Sequence, residues 1–358
     1  MTISLLKNVS AVKTSTFLRN STIALLTLSS VFTITAHGSD NEINVYSARK
    51  EALILPLLEK FTKQTGIEVN LVTGKADALL QRLRAEGKRS PADVFITVDA
   101  GRLYRAKAAG VLQPISDSSL DTKVPAHLKD KDDYWYALSQ RARVIFYALD
   151  RVKPAELSSY EDLTAAKWKN RICIRSSNNI YNQSLVASMI EVNGVEKTQD
   201  WLNNLINSFA RPPVGGDRDQ LKAAAAGQCD LAIANTYYFG HMINSNKTDE
   251  REAAAKLGLF WPNQGDGARG AHVNVSGIGV TKSSSNKEAA IQLIHFLLSD
   301  ESQTWYAEVN NEYPVVEGIA FPKALKKYGT FKADSLNLTV LGENNRQAVE
   351  MMDKAGWK

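Results

Sequence analysis

The chain has 358 residues, 44% of them hydrophobic and 23% charged, a composition that excludes a disordered or fibrous chain and leaves room for two domains. One core seldom serves more than about 250–300 residues. The formal net charge is +5, but Lys7, Lys13 and Arg19 lie in the first 38 residues, which carry no acidic side chain; beyond them it is +2, and a nucleic-acid partner loses its main support.

In chain order, those three basic residues lead into the apolar, hydroxyl-rich run Ser21–Ala36, and Ala36 and Gly38 supply small residues for cleavage. The pattern predicts a secretory signal peptide over residues 1–38 and export of the remainder. The run is short for an uncleaved membrane anchor, and no second run of spanning length follows.

The next stretch, Glu42–Lys50, reads as a strand through Ile43 and Val45, then Ser47 as the cap of a helix over Glu51–Phe61, which puts Arg49 at a strand-to-helix turn. A strand from Ile67, a helix over Ala76–Glu86 and a strand over Pro91–Thr97 follow, with Asp99 as a further cap. Strands alternating with amphipathic helices at this spacing predict a largely parallel sheet. Trp135–Leu149 is a long extended segment carrying Arg141 and Arg143 on one face, long enough to pass from one domain into another. A second α/β set then brings the strand ending near Arg175, the capping cluster Ser176–Asn179 and a helix with Tyr181 in its first turn. Helices over 197–208 and Gln220–Ala226 come next, the latter after the Gly215-Gly216 turn. Ala271–Val280 is extended again and reads as a return crossing, followed by a helix over Lys287–Leu298 and further helices from Pro322 onward. Two crossings between two lobes make a hinged clamshell. The expected partition is 39–143 plus 274–316 for the first lobe and 144–273 plus 317–358 for the second.

The stretch Leu231–Met242 is the most informative. Four apolar residues predict a buried strand, Asn235 and Thr236 offer cap oxygens, and Tyr237 and Tyr238 open the next helix. In α/β proteins ligands bind beyond the carboxyl ends of strands. At a strand-to-helix turn two adjacent phenols can aim at one point there, beside the positive end of a helix. The plain alternative is one tyrosine in the core and one at the surface. Cys173 and Cys229, the two cysteines of the chain, lie in predicted strands just upstream of the Tyr181 and Tyr237-Tyr238 turns. An even count in an exported chain favours a disulfide over two buried thiols, and the spacing matches no zinc motif.

The ordered set Val45–Arg49, Pro91–Phe95, Ala137–Val144, Asn179–Gln183, Asn235–Tyr238 and Glu312–Pro314 resembles the periplasmic ferric-ion-binding proteins of ABC iron importers, across nearly all of residues 42–358. The resemblance implies an α/β, type II periplasmic-binding-protein clamshell that presents Fe(III) to an inner-membrane ABC permease as a monomer. It also implies tyrosinate ligands completed by a synergistic anion such as carbonate. By position Tyr237 and Tyr238 match the family's tyrosine pair, Tyr181 matches the third tyrosine found in one branch of it, and Arg49 and Arg141 fall where the family places arginines near the anion or the closed cleft. The chain departs from the pattern too: Lys50-Glu51 stands where some members have a histidine or a histidine-tyrosine pair, and Val98 where others have a glutamate. That leaves first-lobe coordination positions to an anion, to water or to Glu51. Hard oxygen donors suit a hard cation, and three tyrosinates balance the charge of Fe(III).

An oxyanion or small-organic binder of the same fold is the alternative reading; it would not need three converging phenols. An exported enzyme lacks support, because no Gly-x-Ser-x-Gly or His-Glu-x-x-His motif occurs and His127, His241, His272 and His295 are scattered. Among them only His241 lies near the tyrosine pair.

Overall fold

The computed structural model describes residues 41–358, so the predicted signal peptide lies outside the described residues. β1 (Glu42–Ser47) buries Ile43 and Val45 and runs parallel to β2 (Glu68–Thr73) and to β3 (Val94–Val98). Between them stand α1 (Leu55–Thr65) and α2 (Ala76–Glu86), and α3 (Ala100–Ala108) follows β3. The first helix starts later than the sequence suggests. Glu51–Leu53 form a single 3-10 turn and α1 opens with Pro56 in its first turn. Proline lacks the N–H that a helix begun at Glu51 would require at that depth, whereas a first turn leaves it unused. Ser47 therefore caps no helix; its hydroxyl accepts the Arg49 N–H at 3.2 Å. Asp99 does cap α3, accepting the Gly101 N–H at 2.9 Å.

After α4 (Ser118–Lys123), β4 (Tyr136–Ala148) carries the chain from one lobe to the other. Its first half pairs antiparallel with β8 (Val273–Val280). Its second half pairs antiparallel with β6 (Leu231–Asn235) and β7 (Leu257–Phe260). β5 (Ile172–Cys173) runs parallel to β6, giving the strand order β2-β1-β3-β8-β4-β6-β5 with β7 on β4. The sheet is thus mixed rather than largely parallel. Parallel pairing holds inside each β-helix-β unit, and antiparallel pairing marks the strands that pass between lobes.

The second lobe is completed by α5 (Ile180–Asn193), α6 (Val195–Leu205), α7 (Asp217–Ala225), α8 (Thr236–Ile243) and α9 (Thr248–Ala255). β8 leads into α10 (Lys287–Leu297) and α11 (Asp300–Glu308), and the chain ends with α12 (Val340–Glu343) and α13 (Asn345–Ala355). The first-lobe core gathers Phe61, Leu103, Trp135, Ile278 and Leu293. In the second lobe the two-residue alternation of strands splits the core in two: Ile145 and Ile233 join Trp168, Leu185 and Met352 on one face, while Phe146 and Ala232 join Leu221 and Phe239 on the other. A strand buried on both faces needs apolar residues throughout, hence the unbroken run Leu231–Ala234. The C-terminal segment reaches the cores of both lobes: Leu338 and Leu341 join the Phe61 cluster, Met351 and Met352 the Trp168 cluster, and Leu325 the Phe239 cluster. Among the described residues no helix is long and apolar enough to cross a membrane.

The cysteines form the expected disulfide, with Cα atoms 5.8 Å apart. Cys173 ends β5 as predicted, whereas Cys229 stands in the loop before β6 rather than in a strand.

Candidate metal centre

Two strand ends deliver the tyrosines. β5 stops after two residues, the chain turns through Ser176–Asn179, and Asn179 caps α5 by accepting the Tyr181 N–H at 3.2 Å. β6 passes directly into α8, whose second and third residues are Tyr237 and Tyr238. Their ring centroids lie 4.2 Å apart, and the Tyr237 hydroxyl donates to the Tyr181 oxygen at 3.3 Å. All three tyrosines line one cavity of about 450 Å³, faced from the first lobe by Arg49, Lys50 and Val98. Glu51, the alternative carboxylate ligand, is exposed and is not part of that lining.

Asn235 does not cap α8 with its side chain, contrary to the sequence expectation. Its side-chain oxygen accepts from Arg143 at 3.2 Å, and its backbone N–H is held by Asp217 at 2.8 Å. Asp217, whose carboxylate is fully buried, also receives Arg143 at 3.1 Å and Arg175 at 3.3 Å. Arg143 continues to the Asn182 side-chain oxygen, and the Asn182 amide returns to the Arg175 and Ser176 carbonyls. One buried network therefore ties the turn before Tyr181 to the turn before Tyr237. It fixes the three phenols relative to one another before any ligand arrives. The Arg175 guanidinium rides over the Tyr181 ring at 5.6 Å.

The two arginines expected near an anion, Arg49 and Arg141, are committed elsewhere. Arg49 pairs with Glu312 at 2.9 Å and Arg141 with the other Glu312 oxygen at 3.5 Å. Both also donate to the Ser276 hydroxyl, and Ser139 donates to Glu312. Arg49 and Glu312 still border the cavity, and Arg141 lies 5.8 Å from the Tyr237 ring centre. Sequence reasoning assigned Glu312 no role; its signal was its place in Glu312-Tyr-Pro, too short to show which cation it would meet.

Burial pushes the Tyr237 phenol well above its ordinary pKa, and its neighbours Tyr181 and Tyr238 add to the effect. Burial, then Tyr181, raises Tyr238 likewise. Both are neutral in the metal-free protein at pH 7, so a cation can be held only by displacing their protons. His241, also in the lining, is pulled below its ordinary value by burial and by Arg218, Lys50 and Arg49, against the pull of Glu312. Its Nδ1 faces the Asn311 amide at 3.3 Å; the amide can only donate, which leaves the imidazole proton on Nε2. Among the described residues no group of three or more His, Cys, Asp or Glu side chains is placed to hold a metal, so phenols are the hard donors on offer.

Comparison with known proteins now bears on this site. Residues 57–333 match the family model of bacterial extracellular solute-binding proteins. Iron uptake protein A1 of Synechocystis is 46% identical over 321 residues, covering 90% of this chain and 89% of that protein. The chain belongs to the ferric-ion-binding family of these solute-binding proteins. A Serratia marcescens Fe(3+)-binding periplasmic protein is 30% identical over 93% of this chain and 96% of its own length. The structure of Trichodesmium IdiA (FutA) in complex with iron and citrate superposes with a TM-score of 0.86 at 50% identity, covering 88% of this chain and all of that one. The family and the two-lobed type II fold expected from the sequence are both borne out.

Proposed function

We propose that this protein captures Fe(III) in the periplasm through the phenolates of Tyr181, Tyr237 and Tyr238, with an accompanying anion, and delivers it to an ABC importer. The observation that carries the reading is the convergence of three phenol groups in one cavity, two of them with raised pKa values. Such groups ionise near neutral pH only under a strongly polarising cation, and three of them cancel the charge of Fe(III). The relatives named for iron uptake and Fe(3+) binding support the same cargo. The second lobe carries all three ligands and is prefixed by the Arg143–Asp217 network, so it takes iron first and the first lobe closes over it. The N-terminal basic and apolar segment would direct export, and the permease would read the closed form. Titration of the metal-free protein with a ferric salt tests this: a visible phenolate-to-iron charge-transfer band saturating at one iron per chain is the expected result. A colourless product without bound metal would remove the reading.

A further inference from the structure

The ferric reading leaves the fully buried carboxylate of Asp99, between β3 and α3, with no task beyond capping α3. Its backbone φ is +80°, a region that a residue with a Cβ enters only where its surroundings force it. The forcing groups are close at hand. The Asp99 N–H donates to the Val275 carbonyl at 2.7 Å. The Asn274 amide donates to Oδ2 at 2.9 Å, while the Asn274 side-chain oxygen accepts the Ala100 N–H at 2.8 Å. Oδ1 takes the Gly101 N–H. All of these partners belong to the first lobe or to β8.

One more donor arrives from the second lobe. Ser184, fully buried on α5, donates its hydroxyl to Asp99 Oδ1 at 2.7 Å. Ser184 follows Tyr181 by three residues, a spacing that stacks the two on one face of α5. The starts of α3 and α5 also touch. A Cβ placed on Gly101 would lie 3.6 Å from Ile180 Cδ1 and 3.6 Å from the Leu341 carbonyl of α12. The same α12 spans the junction, since Asn344 at its end donates to the Ala187 carbonyl of α5 at 3.4 Å. Asp99 thus stands where the lobes meet, clasped by β8 on one side and reaching α5 on the other. Rotation of the lobes leaves its bonds to Gly101, Asn274 and Val275 in place, but it moves Ser184.

We propose that Asp99 is a positioning residue for iron retention: its bond to Ser184 latches the first lobe to the helix that carries Tyr181 and favours the closed cleft. This rests on the ferric reading of the site and concerns release, not the ligand set. A contact biases open against closed only if its strength differs between them. The strained backbone and the Asn274 clasp hold the Asp99 carboxylate still, so it does not follow Ser184 as the lobes part. Three donors aimed at its two oxygens fit the ionised form, for which a lost hydrogen bond costs more than for a neutral acceptor. The latch does not touch the phenol oxygens. The Arg143–Asp217 network ties those together within the second lobe, so capture proceeds as before and retention depends on the latch.

The test compares the wild type with Ser184→Ala, which removes the hydroxyl and suits a helix interior. Ferric-loaded protein is mixed with an excess of a competing chelator, and release is followed by loss of the visible band. Release is expected to be about tenfold faster in Ser184→Ala, as losing a hydrogen bond to a charged group implies. The position of the band and the rate of ferric uptake are expected to stay as in the wild type. Small-angle scattering of the two metal-free proteins is expected to give the larger radius of gyration for Ser184→Ala. A merely structural serine would lower the urea midpoint and leave release and radius unchanged, and that result overturns the proposal. So does a shifted band, which would mean that Ser184 acts on Tyr181 itself. If the wild type takes up no ferric iron, the ferric reading falls and the metal-free scattering decides the latch, with equal radii overturning it.

Discussion

Arg49 and Glu312, 263 residues apart in sequence, meet at 2.9 Å with both side chains almost completely buried. The pair joins the turn after β1 to the segment after α11, and Arg141 and Ser139 on β4 complete it. Burial would raise the Glu312 carboxyl, but Arg49, Arg141 and the Ser139 hydroxyl outweigh it and hold its pKa below the usual value. Stability from this group is fully present above the ordinary glutamate pKa and is lost as pH falls through the depressed one. Glu312→Gln leaves two arginines buried against one neutral amide. Removing one partner of a buried pair costs about 3–5 kcal/mol, and urea unfolding at pH 7 is expected to show a loss of that size. Arg49→Met alone is expected to destabilise as well, and the double variant by less than the sum, because the two share one interaction.

The tyrosines give a different signature. Tyr237→Phe and Tyr238→Phe each remove an anionic donor and leave the packing of the ring in place. Iron affinity is expected to fall by more than the roughly tenfold to hundredfold that loss of an outer-shell partner costs. The visible band is expected to weaken, and unfolding stability to change little. Tyr181→Phe is expected to behave likewise, since its oxygen already accepts from Tyr237. Parallel ferric titrations and urea melts separate ligand loss from unfolding; a Tyr181→Phe protein with native affinity would leave the iron with two phenolates.

How much of this was legible beforehand depends on the range of each interaction. The strand-to-helix turns that carry Tyr181 and Tyr237 were readable because a buried strand, a short polar cap and a helix leave a local pattern. The late start of α1 was readable in principle from Pro56, but an apolar run with helical spacing masked it. Which side chain caps which helix was less secure. Asn235 has the right type and position, yet Arg143 claims its oxygen from a strand 92 residues away. The same limit explains Glu312 and Asp217. Their roles arise from arginines brought to them by the sheet, and a carboxylate in sequence carries no mark of its distant partner. Arg49 and Arg141 stand out in the sequence as cations near the anion or the closed cleft; the sheet brings both of them to the internal Glu312.

The Cys173–Cys229 bond closes a loop with a sequence separation of 56 residues and couples the end of β5 to the loop that enters β6, the two segments that lead to the tyrosine turns. On the chain-entropy account a loop of this length contributes about 4 kcal/mol. The Cys173→Ala/Cys229→Ala double variant is expected to lose stability of that order in denaturant melts. Its ferric affinity is expected to fall less, because the Arg143–Asp217 network still ties the two turns together. A variant with native stability would show that the second lobe is held by packing alone.

Proton release is the most direct check on the ligand set. Burial raises the Tyr237 and Tyr238 phenols, so both carry protons in the metal-free protein across the neutral range. Each phenolate formed by iron therefore expels one proton, and with Tyr181 the total is about three per iron. By linkage the apparent affinity rises with pH by about one factor of ten per pH unit for each proton displaced, so about three such factors per unit once the iron source's own proton equilibria are subtracted. The sign is fixed: acid favours the protonated phenols and releases iron, whereas raising the pH tightens binding. Titration of metal-free protein at constant pH in weakly buffered solution, with added base counted against iron bound, measures the number. Tyr181→Phe is expected to lower it by one. A wild-type value near one would mean that at most one phenol ionises, and the cavity would then hold its cargo chiefly through the anion.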